Sequence, residues 1–429
     1  MCRFVEEEKI QLKTKLDKFK TKNAKGVLSL LAGNTIAQVI MVAGGLILAS
    51  LYGPEASGTY NVFLSFVAIL SILTTFRLEN IFVISKSSKA IRNLFTVLLL
   101  LSTIVTVVFF LGYAAVEEIF SLKTSLFIVF LSCVAGLFTA WNNVQNSLFT
   151  KYKFFKSIST GFVINALFSV LFQFIFYAMG YKETGLIYGT IFGTILSCAY
   201  YFSITKGRFS SINFALAQQT ILSNKEIIKY TLPSESLNAI ANNLMPILLA
   251  VYFLKEDVGF YGNAAKVLVV PLTLLSNSMS KVFFQKSAGM IDHRAHQLYD
   301  LSKKIILYNV AAITVFLLLM NFVGIFILEW ILGPEWKGLH IMTWILSFWI
   351  LCRSAMNPIQ QIVVVIKKNH YAFYFNIYLV LVTIATCIIG GLNKNLLLTL
   401  SLYSFFAGIG YLIQLYFVMK ELKRYKKSN

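Results

Sequence analysis

Residues 48–60 read LASLYGPEASGTY, and residues 248–261 read LLAVYFLKEDVGFY. Each stretch ends an apolar run and contains the pattern Glu-x-x-Gly-x-Tyr, from Glu55 to Tyr60 and from Glu256 to Tyr261. The two copies are 201 residues apart. A short exposed turn favours a glycine and an aromatic residue in any case, but the matching positions in two halves of the chain indicate an internal repeat.

The composition indicates that lipid, rather than water, is the main solvent. Of the 429 residues 57% are hydrophobic and only 13% are charged, which is too little charge to cover a soluble globule. A net charge of +20 often indicates a nucleic-acid partner. Here the basic residues lie between apolar runs, so no such partner is expected. The five scattered cysteines show no disulfide or metal-ligand spacing, and no metal or cofactor is expected.

Twelve apolar runs are long enough to cross a bilayer, which needs roughly 20 helical residues. The predicted spans are 27–51, 58–84, 94–116, 124–149, 158–179, 184–205, 229–253, 259–284, 303–330, 338–366, 370–391 and 395–419. The tails and the connections after even-numbered spans, with their flanking residues, carry 29 of the 38 Lys and Arg, and the other connections carry 5. Because basic connections stay in the cytoplasm, we predict an all-α polytopic membrane protein with both termini cytoplasmic.

The longest internal connection divides the spans six and six, which predicts two six-helix lobes related by a pseudo-twofold axis along the membrane normal. The predicted parts are a basic cytoplasmic tail 1–26, an amino-terminal lobe 27–205, a cytoplasmic linker 206–228, a carboxy-terminal lobe 229–419 and a basic cytoplasmic tail 420–429. The connections on the other side have seven residues or fewer. They leave no room for an external catalytic domain.

The stretch 51–60 followed by Arg77-Leu78-Glu79 resembles the oligosaccharide flippase family, the polysaccharide-transporter branch of the multidrug/oligosaccharidyl-lipid/polysaccharide exporter superfamily. The segment 332–336, LGPEW, resembles that family's turn between helices 9 and 10, and Ser57 departs from the family, which commonly has Phe there. The resemblance implies a V-shaped pair of six-helix bundles around a central cavity that opens alternately to each side.

The resemblance also implies a function. Family members move undecaprenyl-pyrophosphate-linked oligosaccharides to the outer leaflet of the bacterial inner membrane by alternating access, for surface polysaccharides such as O-antigen, lipopolysaccharide and exopolysaccharide. The expected partners are the lipid-linked oligosaccharide, membrane lipids, a proton or sodium counter-ion and the polysaccharide polymerase machinery. No catalytic residue is expected.

Ionisable and amide side chains within the spans are the candidate site residues, because they are costly in lipid unless they face a cavity or a partner. Arg353 and Lys266 are the candidate cations for a diphosphate. Asn357, Gln360 and Gln361 follow Arg353 with helical spacing, which predicts one shared face. The remaining cavity candidates are Asn238, Asn242, Asn34 and Gln38. Hydrogen bonding between helices is the alternative role for these amides, and the more typical one for Asn142, Asn143, Gln145 and Asn146.

Helix 7 carries a second polar stripe between Pro233 and Pro246, two prolines that are expected to bend it. Glu235 in this stripe is the candidate for coupling to an ion, with snorkelling to the membrane surface as the alternative. Arg77 and Glu79 are structural or gating candidates. Two residues apart, they do not face each other on a straight helix, so we expect their partners on neighbouring helices.

Two other functions remain open at the level of sequence. A multidrug or cation exporter of the same superfamily has this architecture, but needs acidic groups, and Glu79 and Glu235 are nearly the only acids within the spans. A membrane glycan polymerase or ligase, from a different class, needs catalytic groups on a sizeable external loop, for which the predicted connections are too short.

Overall fold

The computed structural model describes residues 2–120, 125–206, 209, 211–224, 232–288, 295–360, 362–365, 368 and 370–428, and all regular structure in these residues is helical. The amino-terminal helices are α1 (Cys2–Leu73), α2 (Ile81–Ile84), α3 (Ser88–Phe120), α4 (Leu126–Lys151), α5 (Phe155–Ala178), α6 (Gly185–Thr205) and α7 (Phe214–Leu222). The carboxy-terminal helices are α8 (Leu232–Tyr252), α9 (Lys255–Ala288), α10 (Ala295–Leu319), α11 (Ile325–Leu332), α12 (Leu339–Met356), α13 (Ile362–Val365), α14 (His370–Leu392) and α15 (Leu396–Ser428).

Nine helical stretches within the described residues are long and apolar enough to cross a membrane. The first, Leu28–Leu73, has 46 residues and would reach about 69 Å if straight, more than twice the thickness of a bilayer's hydrocarbon core. It is broken at Gly53, whose φ of 77° and ψ of 178° are accessible only to glycine. The predicted first and second spans lie on either side of this break.

The predicted seventh and eighth spans coincide with α8 and α9, which are not among those nine stretches. Both helices are long, and each begins with a polar turn, which includes Ser234 and Glu235 in α8 and Lys255, Glu256 and Asp257 in α9. The count of twelve spans therefore stays a prediction.

Helix α1 joins the two halves of the chain. It packs against α4, α5 and α6 of the amino-terminal half and against α8, α9 and α11 of the carboxy-terminal half. The largest hydrophobic core lies mainly in the carboxy-terminal half and extends across to α1 and α4 through Phe66, Leu70 and Val129. Motion of one half against the other must therefore repack the surface of α1.

Several predicted boundaries were wrong, and local backbone geometry explains them. Helix α1 ends at Leu73 rather than near 84, because Phe76 and Arg77 adopt left-handed conformations with φ of 49° and 54°. Helix α12 ends at Met356 because the following turn contains Pro358, which cannot donate a backbone hydrogen bond. Helix α1 begins at Cys2 and α15 ends at Ser428, so the segments predicted as tails are continuous with these two helices.

The predicted linker contains a docked helix, α7. The Asn213 side chain caps it by accepting a hydrogen bond from the Leu216 amide at 2.9 Å. Asn93 on α3 fixes the start of this helix with two further hydrogen bonds to the backbone of Asn213, both 2.8 Å long. This connection is consequently attached to the amino-terminal half.

Candidate functional site

The two Glu-x-x-Gly-x-Tyr copies pack against each other at one end of the bundle, which we call the hairpin end (residues 52–61 and 253–262). Gly58 lies against the backbone oxygen of Lys255, and Gly259 lies against the backbone oxygen of Pro54. A Cβ atom at either glycine would clash with main-chain atoms. The offset of 201 turns one contact into the other, because Pro54 corresponds to Lys255 and Gly58 to Gly259. The repeat in the sequence is therefore a reciprocal contact in space.

The same reciprocity continues one helical turn deeper, where the amide of Asn61 lies against Gly262. Asn61 also approaches the backbone oxygen of Val258, at 3.5 Å. An ion pair between Glu55 and Lys255 spans the end at 3.4 Å, but both side chains are about 60% exposed. Exposed pairs of this kind contribute about 0–1 kcal/mol. Backbone packing, rather than charge, therefore closes the hairpin end.

The turn at 332–336 contacts the same end. Trp336 is fully buried, donates a hydrogen bond from Nε1 to the Ala49 backbone oxygen at 3.2 Å and packs on the Phe260 ring. A Cβ at Gly53 would lie 2.7 Å from Oε2 of Glu335. Both the first-hairpin segment and this turn, which carry most of the family resemblance, thus meet at one place where they hold helices together.

The opposite end of the interface, which we call the Arg77 end, depends on charge. Nε of Arg77 lies 3.2 Å from Oε2 of Glu235 on α8, and Nη1 lies 3.6 Å from Oε1 of Glu79. Glu235 is the partner on a neighbouring helix that was expected for Arg77. The left-handed backbone at Arg77 also lets it reach Glu79, which a straight helix does not allow. The Arg77 guanidinium joins the amino-terminal half to α8.

Glu79 lies between the candidate membrane helices, on the short turn Leu78–Asn80. Its side chain is 1% exposed, against 30% for Arg77 and 40% for Glu235. Burial raises the pKa of the Glu79 carboxyl, and the nearby Arg77 charge opposes this rise. The Arg77 end is therefore sensitive to the protonation of a buried acid.

Between the two ends, Lys266 on α9 lies in a cavity of about 390 Å³, which we call the groove. Its Nζ lies 5.3 Å from the centroid of the Tyr60 ring. No acidic residue is among the described residues that line the groove. Its walls are mostly apolar side chains from α1, α9, α10 and α11, among them Leu46, Leu48, Val267, Val270, Phe316 and Leu328. An ammonium group in apolar walls attracts an anion that is itself attached to an apolar chain.

Tyr60 is held in place by an amide that the sequence did not single out. Its hydroxyl hydrogen-bonds with Thr190 at 2.8 Å, and Nε2 of Gln173 on α5 donates to the Tyr60 hydroxyl, to Thr190 and to the Leu186 backbone oxygen at 3.0–3.3 Å. Gln173 also lines the groove. This network fixes the aromatic ring over which the Lys266 ammonium lies.

A second cavity of about 420 Å³, the amide chamber, is lined mainly by the amino-terminal half, with Val270 and Thr273 of α9 on its other side. It is lined by six carboxamides from α1, α4 and α5, namely Asn34, Gln38, Asn142, Asn143, Asn146 and Asn165. Met41, Val42 and Val270 line both the chamber and the groove, so the two cavities adjoin. The run of amides on α4, for which packing was the more typical role, thus supplies half of the chamber's carboxamides.

The predicted polar stripe on α8 is formed, but its side chains bond locally. Asn242 donates to the backbone and side-chain oxygens of Asn238, at 2.7 and 2.9 Å, and both residues are exposed. Neither lines the groove or the amide chamber. Pro233 lies in the first turn of α8, where a missing N–H costs nothing, so it does not break the helix. Pro246 alone is inside it.

Arg353 lies in the carboxy-terminal half, away from the groove and the chamber. Its guanidinium is 5.4 Å from the Trp349 ring centroid and 6.0 Å from that of Tyr411, a cation–π arrangement. Helix α12 ends at Met356, but the Asn357 backbone amide still donates to the Arg353 backbone oxygen, one helical turn back. The common face predicted for Arg353, Asn357 and Gln360 stays a prediction. Gln361 lies outside the described residues.

Residues 47–341 match the family described as polysaccharide biosynthesis protein. The chain belongs to this family. A relative in polysaccharide biosynthesis, the capsular polysaccharide biosynthesis protein CapF of Staphylococcus aureus, is 24% identical over 313 residues, which are 71% of this chain and 76% of the relative. The resemblance to the polysaccharide flippase family predicted from 51–60 and 77–79 is confirmed.

Solved structures show the fold of the family. A multidrug resistance MATE family transporter of the MOP superfamily, inward-facing, aligns with a TM-score of 0.63 at 15% identity over 94% of this chain and 99% of its own. The lipid II flippase MurJ, inward closed, aligns with a TM-score of 0.61 at 14% identity over 92% of this chain and 87% of its own. The chain is a multi-pass membrane protein with a transporter fold.

Proposed function

We propose that this protein flips an undecaprenyl-pyrophosphate-type oligosaccharide from the cytoplasmic to the outer leaflet of the bacterial inner membrane, for surface polysaccharide assembly. The observation that carries the proposal is Lys266, an ammonium in an apolar groove with no acidic lining residue, beside a chamber lined by carboxamides. The substrate has the same three parts: an apolar chain, an anionic linkage and a sugar. Membership of a polysaccharide biosynthesis family supports this reading.

The proposed topology has twelve spans with both termini cytoplasmic. Gly53 divides the first of the nine apolar stretches into two spans, and α8 and α9 supply the remaining two. The lobes are then residues 27–205 and 229–419, with 206–228 as the linker. This topology places the hairpin end outside and the Arg77 end in the cytoplasm.

Alternating access follows from the two ends. We propose that the halves rock about α1, so that the Arg77–Glu235 pair separates when the cytoplasmic side opens and the glycine contact separates when the outer side opens. Glu235 is the proposed coupling residue, since a proton or sodium ion that binds its carboxylate competes with Arg77. Arg353 is the proposed cation of the carboxy-terminal half.

The cavity lining disfavours a cation exporter. Cationic substrates need acidic groups, and the described residues that line the groove and the amide chamber include none. Lys266, a basic residue, is the charged side chain among these lining residues.

The test uses purified protein in proteoliposomes with undecaprenyl-pyrophosphate-linked N-acetylglucosamine as probe. A membrane-impermeant lectin added outside measures arrival of the sugar. We expect Lys266→Gln to slow flipping by about tenfold or more, since a charge-assisted contact is worth roughly 1.5–3 kcal/mol, and Lys266→Arg to retain most of it. Wild-type vesicles that carry a cationic dye but leave the lipid-linked sugar in place would overturn the proposal in favour of an exporter.

A further inference from the structure

Some carboxamide oxygens of the amide chamber have no hydrogen-bond partner within the protein. Nδ2 of Asn142 donates to the Thr194 backbone oxygen at 3.3 Å, and Nδ2 of Asn165 donates to the Thr194 hydroxyl at 3.4 Å. The protein itself thus occupies amide donors of Asn142 and Asn165. The oxygens of three chamber residues, Oε1 of Gln38, Oδ1 of Asn142 and Oδ1 of Asn146, are buried without a hydrogen-bond partner.

Unpartnered buried carbonyl oxygens are unfavourable, because they have lost their hydration and gained nothing in return. Three of them on side chains that line one cavity favour a ligand that brings donors, and rotation of the amides presents the oxygens to it. Hydroxyl and amide N–H groups are such donors. A carboxylate is not, and no cationic side chain is among the described residues lining the chamber to neutralise one.

We propose that the amide chamber is the sugar subsite of the transporter and that it selects uncharged sugars rich in hydroxyl or N-acetyl donors over uronic acids. This inference rests on the proposed function, because the chamber adjoins the Lys266 groove through Met41, Val42 and Val270. The phosphate then contacts Lys266 while the attached sugar enters the chamber.

The size of the chamber limits what it recognises. Its volume of about 420 Å³ is near the lower end of the range for small-ligand sites, roughly 300–1,000 Å³. The chamber therefore holds the sugars next to the phosphate rather than a whole repeat unit. Specificity is expected to depend on the first sugar, while the distal sugars vary freely.

Binding of three probes to the full chain in nanodiscs tests the inference separately from transport. The probes are geranyl pyrophosphate, its N-acetylglucosamine derivative and its glucuronic acid derivative. We expect the N-acetylglucosamine probe to bind about tenfold tighter than geranyl pyrophosphate, since one recovered hydrogen bond is worth about that factor. The glucuronic acid probe should gain clearly less, because the cost of burying its carboxylate without a cation offsets what its hydroxyl donors contribute.

Substitutions in the chamber test whether the sugar's contribution to affinity arises there. Gln38→Met, Asn142→Leu and Asn146→Leu should each reduce the extra affinity of the N-acetylglucosamine probe and leave geranyl pyrophosphate binding unchanged. Asn243→Leu is the matched control, because this amide bonds to the Ala239 backbone oxygen within α8 at 2.8 Å and does not line the chamber. If a variant fails to fold, the three probes on the wild-type chain still decide the question.

The outcomes separate the two proposals. Equal affinity for all three probes, or a gain from glucuronic acid as large as that from N-acetylglucosamine, overturns the sugar subsite and leaves the proposed function intact. Geranyl pyrophosphate that does not bind, or binds equally well to Lys266→Gln, counts instead against the proposed function. If the N-acetylglucosamine probe keeps its extra affinity in all three chamber variants, the sugar binds outside the chamber.

Discussion

The two ends of the interface between the halves are closed by different physical means. At the hairpin end, main-chain atoms around Gly58 and Gly259 touch directly, and the bridging ion pair is exposed. At the Arg77 end, one guanidinium reaches two carboxylates, one of them buried. Close backbone packing depends on shape alone, whereas an ion pair also responds to protons, ions and ligands. The comparison teaches that, among the described residues of the two ends, a buried acid is present only at the Arg77 end.

The largest effect on transport is expected from a cross-link that holds either end of the interface closed. In a cysteine-free background, a short bifunctional cross-linker between Glu55→Cys and Lys255→Cys, or between Arg77→Cys and Glu235→Cys, should abolish flipping in proteoliposomes, since both ends must open in turn. A reducible linker provides the control, because its cleavage should restore the rate. Full activity with one end cross-linked would show that this end does not open.

Glycine substitution tests the backbone contact. Gly58→Ala and Gly259→Ala should each destabilise the protein by about 1–3 kcal/mol, because the new Cβ meets a main-chain oxygen. The reciprocity predicts similar losses at the two sites. Thermal unfolding in detergent measures this. Gly112→Ala on α3, where a Cβ meets nothing within 4 Å, is the control and should be neutral or slightly stabilising.

Loss of Arg77 should have a smaller effect that depends on pH. Arg77→Ala leaves Glu79 buried without its cation, at an expected cost of about 1–2 kcal/mol at neutral pH for this partly exposed pair. A raised carboxyl pKa means that the folded state binds the proton more tightly. The penalty therefore builds up as pH rises from the unfolded pKa of about 4.3 to the raised folded pKa, and shrinks as pH falls. Unfolding of Arg77→Ala as a function of pH measures it.

Glu79→Gln in the Arg77→Ala background provides the control for this interpretation. It should remove most of the pH dependence and recover part of the lost stability, because no buried acid is left to ionise. A deficit that is constant from pH 4 to pH 8 (roughly the range over which the carboxyl ionises) would contradict the assignment of the penalty to Glu79.

The smallest effect is expected from the exposed ion pair. Glu55→Gln and Lys255→Gln, alone or together, should change stability by less than about 1 kcal/mol, and salt should have little further influence. Thermal unfolding at low and high ionic strength measures this. A larger loss would show that charge matters at the hairpin end as well, and would weaken the contrast between the two ends.

Sequence alone predicted much of the fold, because the hydropathy of a span and the basic residues beside it can be assigned for each segment separately, without knowing which segments pack together. It predicted the break near Gly53 and the likeness of 55–60 to 256–261. The site was harder. Arg353 was expected in the cavity. Helical periodicity shows on which side of its own helix a residue lies, but it does not show which other helix packs against that side. The rings of Trp349 and Tyr411, 4 and 58 positions away in the chain, surround its guanidinium instead.

The place of the α4 amides in a cavity could not be predicted for a related reason. Asn142 and Asn146 lie one turn apart on α4, and such spacing fits packing and cavity lining equally well. Only the placement of α1 and α5 beside α4 shows that these amides share a space with Gln38 and Asn165. Arg77 and Glu79 were judged on a straight helix, and the left-handed turn that brings them together has no glycine to signal it.

The paired glycine contacts have a consequence for the origin of the chain. A surface in which residue i touches j+201 while j touches i+201 is self-complementary, as in a twofold homodimer. A half-length ancestor with one Glu-x-x-Gly-x-Tyr segment satisfies it by pairing with an identical copy. A fusion of two such genes would preserve this contact and would leave the rest of each half free to change independently.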